Sequence, residues 1–290
     1  MTKVLVVGAT GRQGGAVADL LLQHGHDVTA YVRSPEAPAA LALAAAGARL
    51  APGDLADPDA LAAAARGVDA IFGLSVPFGA GGQDEEAAQG RLLVDTAVAA
   101  DAHLVYSSVR GADRLTPTDI GHADSKQLVE AYLRERPVRT TVLAPVYFME
   151  NVFNFRFSRL TDGILAHPLS PGKPLDQVTV RDIAGITAYA IEHPDLLVGE
   201  RIDLASDRVT GEQAARILGD VLGREIPYQQ LPLDQIRQWA GDEVAEMFQR
   251  FEDNTDFVDV DRLRAAYPGV TWHRYADWAR TVDWDRVLAA

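Results

Sequence analysis

Met1-Thr-Lys-Val-Leu-Val-Val-Gly-Ala-Thr-Gly-Arg-Gln-Gly-Gly15 opens the chain, and its reading decides the fold. Lys3 to Val7 is a short, nearly all-apolar run, as expected of a strand buried on both faces of a parallel sheet. Gly8, Gly11 and Gly14 follow at three-residue spacing, and Ala16 to Gln23 then reads as a helix. Glycines let the chain turn tightly and let backbone N–H groups approach a diphosphate. The helix N-terminus adds roughly half a positive charge at the same place. The alternative is a glycine turn that only packs a helix on a strand. A strand before the turn and a helix after it favour a dinucleotide site.

Outward from this stretch, strands and helices alternate. Asp27 to Val32 is expected to be the second strand and Glu36 to Ala46 an alanine-rich helix. Ala48 to Ala51 is the third strand, ending at Pro52-Gly53-Asp54. Asp57-Pro58-Asp59 starts the next helix with an acidic cap and a first-turn proline. Asp69 to Leu74, His103 to Ser107 and Thr140 to Leu143 read as further strands, with helices at Gln83 to Ala100 and Asp124 to Arg136. Such alternation predicts a parallel sheet with helices on both faces, and ligands at the carboxyl ends of its strands.

The rhythm changes after about Pro145. Tyr147 to Leu165 is aromatic-rich and reads as irregular helix or loop. Helices are expected at Val180 to Glu192 and Gly211 to Leu222, a strand at Arg201 to Leu204, and strand-like alternation at Glu225 to Leu231. Leu233 to Phe251 reads as one or two helices, and Trp272, Trp278 and Trp284 mark a packed C-terminal cap. The division expected is a dinucleotide-binding domain over 1–145, taking back part of 175–205, and a second lobe over 146–290.

Composition sets the bounds. With 290 residues, 48% hydrophobic and 23% charged, the chain is long enough for a sizeable core and ordinary for a globular protein. A net charge of −14 argues against direct nucleic-acid binding, which needs a clustered basic face. The absence of cysteine excludes disulfides, thiolate metal sites and cysteine nucleophiles. No signal peptide and no bilayer-spanning run is read, so a soluble cytoplasmic protein without membrane contact is expected.

Four features bear on chemistry. Arg33 ends the second strand, where NAD binders usually place an acid on the adenosine ribose; an arginine there suits a 2′-phosphate, the alternative being a solvated side chain. Asp54-Leu55 follows the third strand, where a carboxylate accepts from the adenine amino group or simply leads into a helix. Ser75-Val76-Pro77 ends the fourth strand and is expected to pass the nicotinamide ribose as backbone. Ser107-Ser108 and His122-Ala-Asp-Ser-Lys126 complete the set. Short-chain reductases use Ser, Tyr and Lys, the last two four apart on one helix face. Here Lys126 is in place and His122 holds the tyrosine position. Imidazole titrates near neutrality and suits a proton donor; the alternative is a packing or capping residue.

The chain resembles the NmrA-like proteins, atypical short-chain dehydrogenase/reductases. The resemblance rests on Gly-Ala-Thr-Gly-Arg-Gln-Gly14, Tyr-Val-Arg33, Gly-Asp-Leu55, His-Ala-Asp-Ser-Lys126 and Tyr-Phe-Met-Glu-Asn151. It extends into Thr179-Val-Arg-Asp-Ile183 and Gly199-Glu-Arg-Ile-Asp-Leu204. It implies an α/β fold, a Rossmann-type doubly wound parallel sheet with a smaller C-terminal α/β substrate lobe, and NADP(H) preferred with NAD(H) as the alternative. Some members of the family are redox-sensing regulators that bind a protein partner; others reduce quinones or phenylpropanoid compounds with the retained lysine.

Two function classes therefore stand. One is an NAD(P)H-dependent reductase of a small carbonyl, quinone or enone compound; the other is a non-catalytic NADP(H) sensor acting through a protein partner. Lys126, His122 and Ser107 are the catalytic set. Gly8, Thr10, Gly11, Arg12, Gln13, Gly14, Arg33, Asp54, Leu55, Ser75, Val76, Pro77, Ser107, Lys126, Pro145 and Tyr147 form the cofactor-binding set. Phe78, Tyr147, Phe148, Asn151 and Phe153 are assigned to substrate, although the aromatic run Tyr147 to Phe157 suits a core equally well. His24, His26 and Asp27 look like metal ligands but read better as a solvated turn, so no metal is expected. A side chain at Gly14 is expected to abolish cofactor binding while the fold survives. A monomer or homodimer is expected.

Overall fold

A computed structural model describes residues 1–75, 81–114 and 120–289, without the side chains at 122, 155 and 156. The chain divides into two compact units, residues 1–145 with 183–204, and residues 146–182 with 205–290.

In the first unit, strands β1 (Lys3–Val7), β2 (Asp27–Val32), β3 (Arg49–Pro52), β4 (Ala70–Gly73), β5 (His103–Ser107) and β6 (Thr140–Pro145) alternate with helices. These are α1 (Arg12–Gln23), α2 (Pro38–Ala45), α3 (Pro58–Ala64), α4 (Gly82–Ala100) and α5 (Gly121–Arg134). With the strand Arg201–Leu204 they form a seven-stranded sheet, in the order Arg201–Leu204, β6, β5, β4, β1, β2, β3. Every neighbouring pair is parallel. Val4 to Val7 are buried because β1 lies between two strands and under helices on both faces. The chain runs outward through β2 and β3, then crosses to β4 on the other side of β1. The strand order therefore reverses between β1 and β4, and a crevice at the carboxyl ends follows there.

The expected elements are present with ends displaced by a few residues. α5 begins at Gly121 rather than Asp124 and ends at Arg134, and α2 starts at Pro38, whose ring suits a first helical turn. Asp57 caps α3, its carboxylate accepting from the Ala60 N–H at 3.0 Å.

The second unit carries four strands the sequence reading missed, Tyr147–Phe148, Leu165–His167, Pro174–Val178 and Asp207–Thr210. They are short and belong to small sheets: Pro174–Val178 pairs antiparallel with Asp207–Thr210 and parallel with Tyr147–Phe148, and Leu165–His167 pairs with Tyr228–Gln230. Two to five residues show too little alternation to separate from loop. The stretch from Tyr147 to Leu165 is broken into two-residue strand, 3-10 turns and one short helix. Trp278 and Trp284 are buried with Leu218 and Tyr275 in the core of this unit, with Phe153 packed against them.

Candidate functional site

The glycine turn sits at the carboxyl end of β1. Gly8 has φ +70°, a left-handed conformation that favours glycine, and its carbonyl accepts from the Gly11 N–H at 2.9 Å. α1 starts without a side-chain cap, and Thr10, Gly11 and Arg12 are exposed. Its first N–H groups and its dipole are thus available to an anion. The turn itself requires that Gly14 carry no side chain. A Cβ there would stand 2.2 Å from the Gly8 carbonyl oxygen and 2.9 Å from the Ala9 nitrogen. The collision is with the turn's own backbone, so a larger residue would deform the turn as well as the site. Gly11 is more tolerant, a Cβ there lying 3.2 Å from the Gly8 oxygen.

Around this turn the strand ends bring further side chains. Arg33 follows β2 and is exposed. The Tyr31 hydroxyl donates to the Asp54 carbonyl at 2.9 Å, and Asp54 Oδ1 accepts from the Ala56 N–H at 2.9 Å. One Asp54 oxygen thus closes its own turn. Leu55 packs against the core of the unit. Burial, reinforced by Asp57 and Asp54, pushes the Tyr31 phenol up. At the end of β5, Ser107 Oγ donates to Gln13 Oε1 at 2.8 Å, tying that strand to the start of α1. Pro145 is buried at the end of β6, and its carbonyl accepts from the Arg110 N–H at 3.1 Å.

Lys126 lies buried on α5. Its ammonium donates to the Ser75 carbonyl at 2.7 Å, to Ser75 Oγ at 3.1 Å and to the Tyr106 hydroxyl at 3.4 Å. Glu86 Oε1 of α4 stands 3.1 Å from the same nitrogen, an ion pair off the hydrogen-bond direction. Glu86 is fully buried, and its other oxygen accepts from Ser125. Two members of this cluster, Glu86 and Tyr106, escaped the sequence reading. A signal existed for the first: Glu86, Gly90, Leu93, Val94 and Ala97 are all buried at helical spacing, so an acid occupies the apolar stripe of α4. Val76, Pro77 and Phe78 lie outside the described residues, as does the His122 side chain.

Of the residues assigned to substrate, four are described in the second unit. Tyr147 is packed edge-on to His167 at 5.6 Å and to Phe251 at 6.2 Å, and its hydroxyl is hydrogen-bonded by Asn151. Burial pushes its phenol up, with the Asn151 bond opposing. Phe153 lies 5.9 Å from Trp278 and 5.8 Å from Trp284, a core position. Phe148 is half-buried.

His24 and His26 meet Glu192, which supplies one oxygen to His24 Nδ1 at 2.7 Å and to His26 Nε2 at 3.0 Å. The hydrogen-bond pattern argues against a metal. His26 Nδ1 accepts from the Thr2 N–H, so its proton is on Nε2, whereas a metal-bound imidazole presents a bare nitrogen and donates through the other. The trio is a hydrogen-bonded staple.

Comparison with known proteins places this geometry. The NmrA-like family profile matches residues 1–280. The NAD(P)H azoreductase of Xenophilus azovorans is 30% identical over 239 residues, 81% of this chain and 79% of that protein. The fold is similar to the NADPH-dependent quinone oxidoreductase complexed with NADPH from Escherichia coli, with TM-score 0.77, 24% identity, and 95% and 98% of the two chains covered. It is equally similar to NmrA, a negative transcriptional regulator, in complex with NADP, with TM-score 0.77, 22% identity, and 99% and 97% covered. With a glycine turn at the strand-order reversal, a seven-stranded parallel sheet and a profile match over nearly its whole length, the chain belongs to the NmrA-like family.

Proposed function

We propose that the chain is an NAD(P)H-dependent reductase of a small carbonyl, quinone or enone compound, with NADP(H) preferred. The observation that carries this reading is a buried lysine, Lys126, held at the carboxyl end of β4 beside the strand-order reversal. The azoreductase relative supports it.

The residues present suit a dinucleotide. The uncapped start of α1, with Gly8, Thr10, Gly11, Arg12, Gln13 and Gly14, takes the diphosphate. Arg33 takes a 2′-phosphate, and Asp54 and Leu55 flank the adenine. Ser75, with Val76 and Pro77 after it, passes the nicotinamide ribose, and Lys126 holds that ribose. Pro145 completes the cofactor set of the first unit; Phe78, Tyr147, Phe148 and Asn151 are kept for substrate, and Phe153 is a core residue of the second unit instead. When bound, the reduced nicotinamide supplies a hydride. Ser107, fixed by Gln13, orients the strand end, and water or substrate supplies the proton, with His122 contributing little.

The test is cofactor oxidation against a panel of quinones, enones, ketones and azo compounds. Lys126→Ala should lower turnover on the order of a hundredfold by misplacing the donor, whereas His122→Gln should be mild. A folded, cofactor-loaded protein that turns over nothing would favour the NADP(H)-sensing regulator. Wild-type turnover from Lys126→Ala would overturn the placement of the site.

A further inference from the structure

Lys126 has three N–H bonds, and three acceptors already engage them: Ser75 O, Ser75 Oγ and the Tyr106 hydroxyl. Glu86 supplies charge rather than an aligned hydrogen bond. Glu86 is 0% exposed and Lys126 is 7% exposed, so neither charge is relieved by water. A buried ammonium without its counter-ion is costly, and so is a buried carboxylate. The pair is assembled by close helix packing: Gly90, one turn from Glu86, faces Val129, where a Cβ would approach Val129 Cγ2 to 2.3 Å.

We propose that Glu86 is the positioning residue for Lys126, the buried counter-ion that fixes the ammonium while one hydroxyl acceptor is exchanged for the nicotinamide ribose. The inference rests on Lys126 being the ribose ligand. A ribose hydroxyl can enter only where one of the present acceptors leaves. Losing the Ser75 carbonyl would orphan a buried acceptor, and losing Glu86 would orphan a buried charge. Exchanging Ser75 Oγ or the Tyr106 hydroxyl swaps one hydroxyl for another at little cost. Glu86 therefore stays in both states, one of these two hydroxyls is a placeholder, and Ser125 holds the far Glu86 oxygen.

The experiment compares two ligands by calorimetry. NADPH has the nicotinamide ribose; adenosine 2′,5′-bisphosphate lacks it. Lys126→Met should weaken NADPH roughly ten- to a hundredfold and leave the bisphosphate unchanged. Glu86→Gln, which keeps shape and removes charge, should weaken NADPH roughly three- to tenfold with the bisphosphate again unchanged. In a Lys126→Met background Glu86→Gln should add nothing, because Glu86 acts through the lysine. If Glu86→Gln does not fold, Glu86→Asp, which keeps the charge but draws it back, carries the same comparison. A Glu86 effect that is equal on both ligands, absent, or undiminished without Lys126 overturns the proposal while the ribose reading stands. Equal losses of both ligands in Lys126→Met overturn the ribose reading itself.

Discussion

Arg33 is the residue at which one side chain separates two cofactors. It is exposed directly after β2, and no acid stands at that strand end to receive ribose hydroxyls. A charge-assisted contact to a 2′-phosphate contributes on the order of 1.5–3 kcal/mol, roughly one to two decades in affinity. Arg33→Ala should therefore weaken NADP(H) about tenfold or more and leave NAD(H) nearly unchanged. Calorimetry on both cofactors checks this, and equal wild-type affinity for the two would sink it. Residues of this kind were legible because their meaning is local. A glycine triplet, a strand-end arginine and a lysine on a helix face are each defined by a few neighbours in sequence. Tyr106 was not, and Glu86 showed only as an acid in an apolar stripe, because their roles depend on meeting Lys126 from the adjoining strand end and from another helix. Gly14 was found for its position, but the Gly8 and Ala9 backbone that it must clear is visible only in three dimensions.

At the scale of elements, the pairing of α4 with α5 decides whether that charge cluster forms. Gly90 lets the helices approach: a Cβ there would stand 2.3 and 2.9 Å from the two Val129 methyl carbons, and Val129 is fully buried with nowhere to turn. Overpacking of this sort costs about 1–3 kcal/mol, while glycine to alanine in a helix returns up to ~1 kcal/mol. Gly90→Ala should thus lower the melting temperature and, by moving Glu86 away from Lys126, weaken NADPH binding as well. A raised melting temperature with unchanged affinity would show that the close approach is not what holds the pair. The longer elements were readable from periodicity, since helices such as Val180–Glu192 and Gly211–Leu222 span several turns of amphipathic pattern. The strands Leu165–His167 and Asp207–Thr210 were not, being fixed by partners far along the chain.

Across the molecule, His103 in the first unit and His167 in the second are histidines that burial keeps neutral, and the two predict how the fold responds to acid. That the strand Arg201–Leu204 lies beside β6 is also a property of the whole chain, which sequence alternation alone does not dictate. His103, on β5, is 2% exposed. Thr141 Oγ1 donates to the Leu197 carbonyl at 2.6 Å, so His103 Nε2, 2.8 Å from that hydroxyl, carries the proton. Burial, with Arg139 adding to it, lowers the His103 imidazole to about 4. In the second unit His167 Nδ1 accepts from the Leu169 N–H, and burial lowers this imidazole to about 4 against the pull of Glu252. A base whose folded pKa lies below its unfolded value near ~6.5 gives its full stability above that pH and loses it as pH falls. The loss should run from about pH 6.5 down to about 4 and reach ~2–3 kcal/mol for each histidine. Glu150 works the other way. Burial raises its carboxyl despite hydrogen bonds from Thr179, Val180 and Trp278, so its protonation in acid favours the fold. Variants, rather than the raw slope, therefore make the test. His103→Gln keeps a donor for Thr141 and His167→Asn keeps an acceptor for Leu169, and neither can take up a proton. Urea melts from pH 8 to 4, read by hydrogen exchange in each unit, should show His103→Gln flattening the acid loss in residues 1–145 and 183–204. His167→Asn should do so only in the second unit. Slopes unchanged by both substitutions would mean that other groups set the acid limit of this fold.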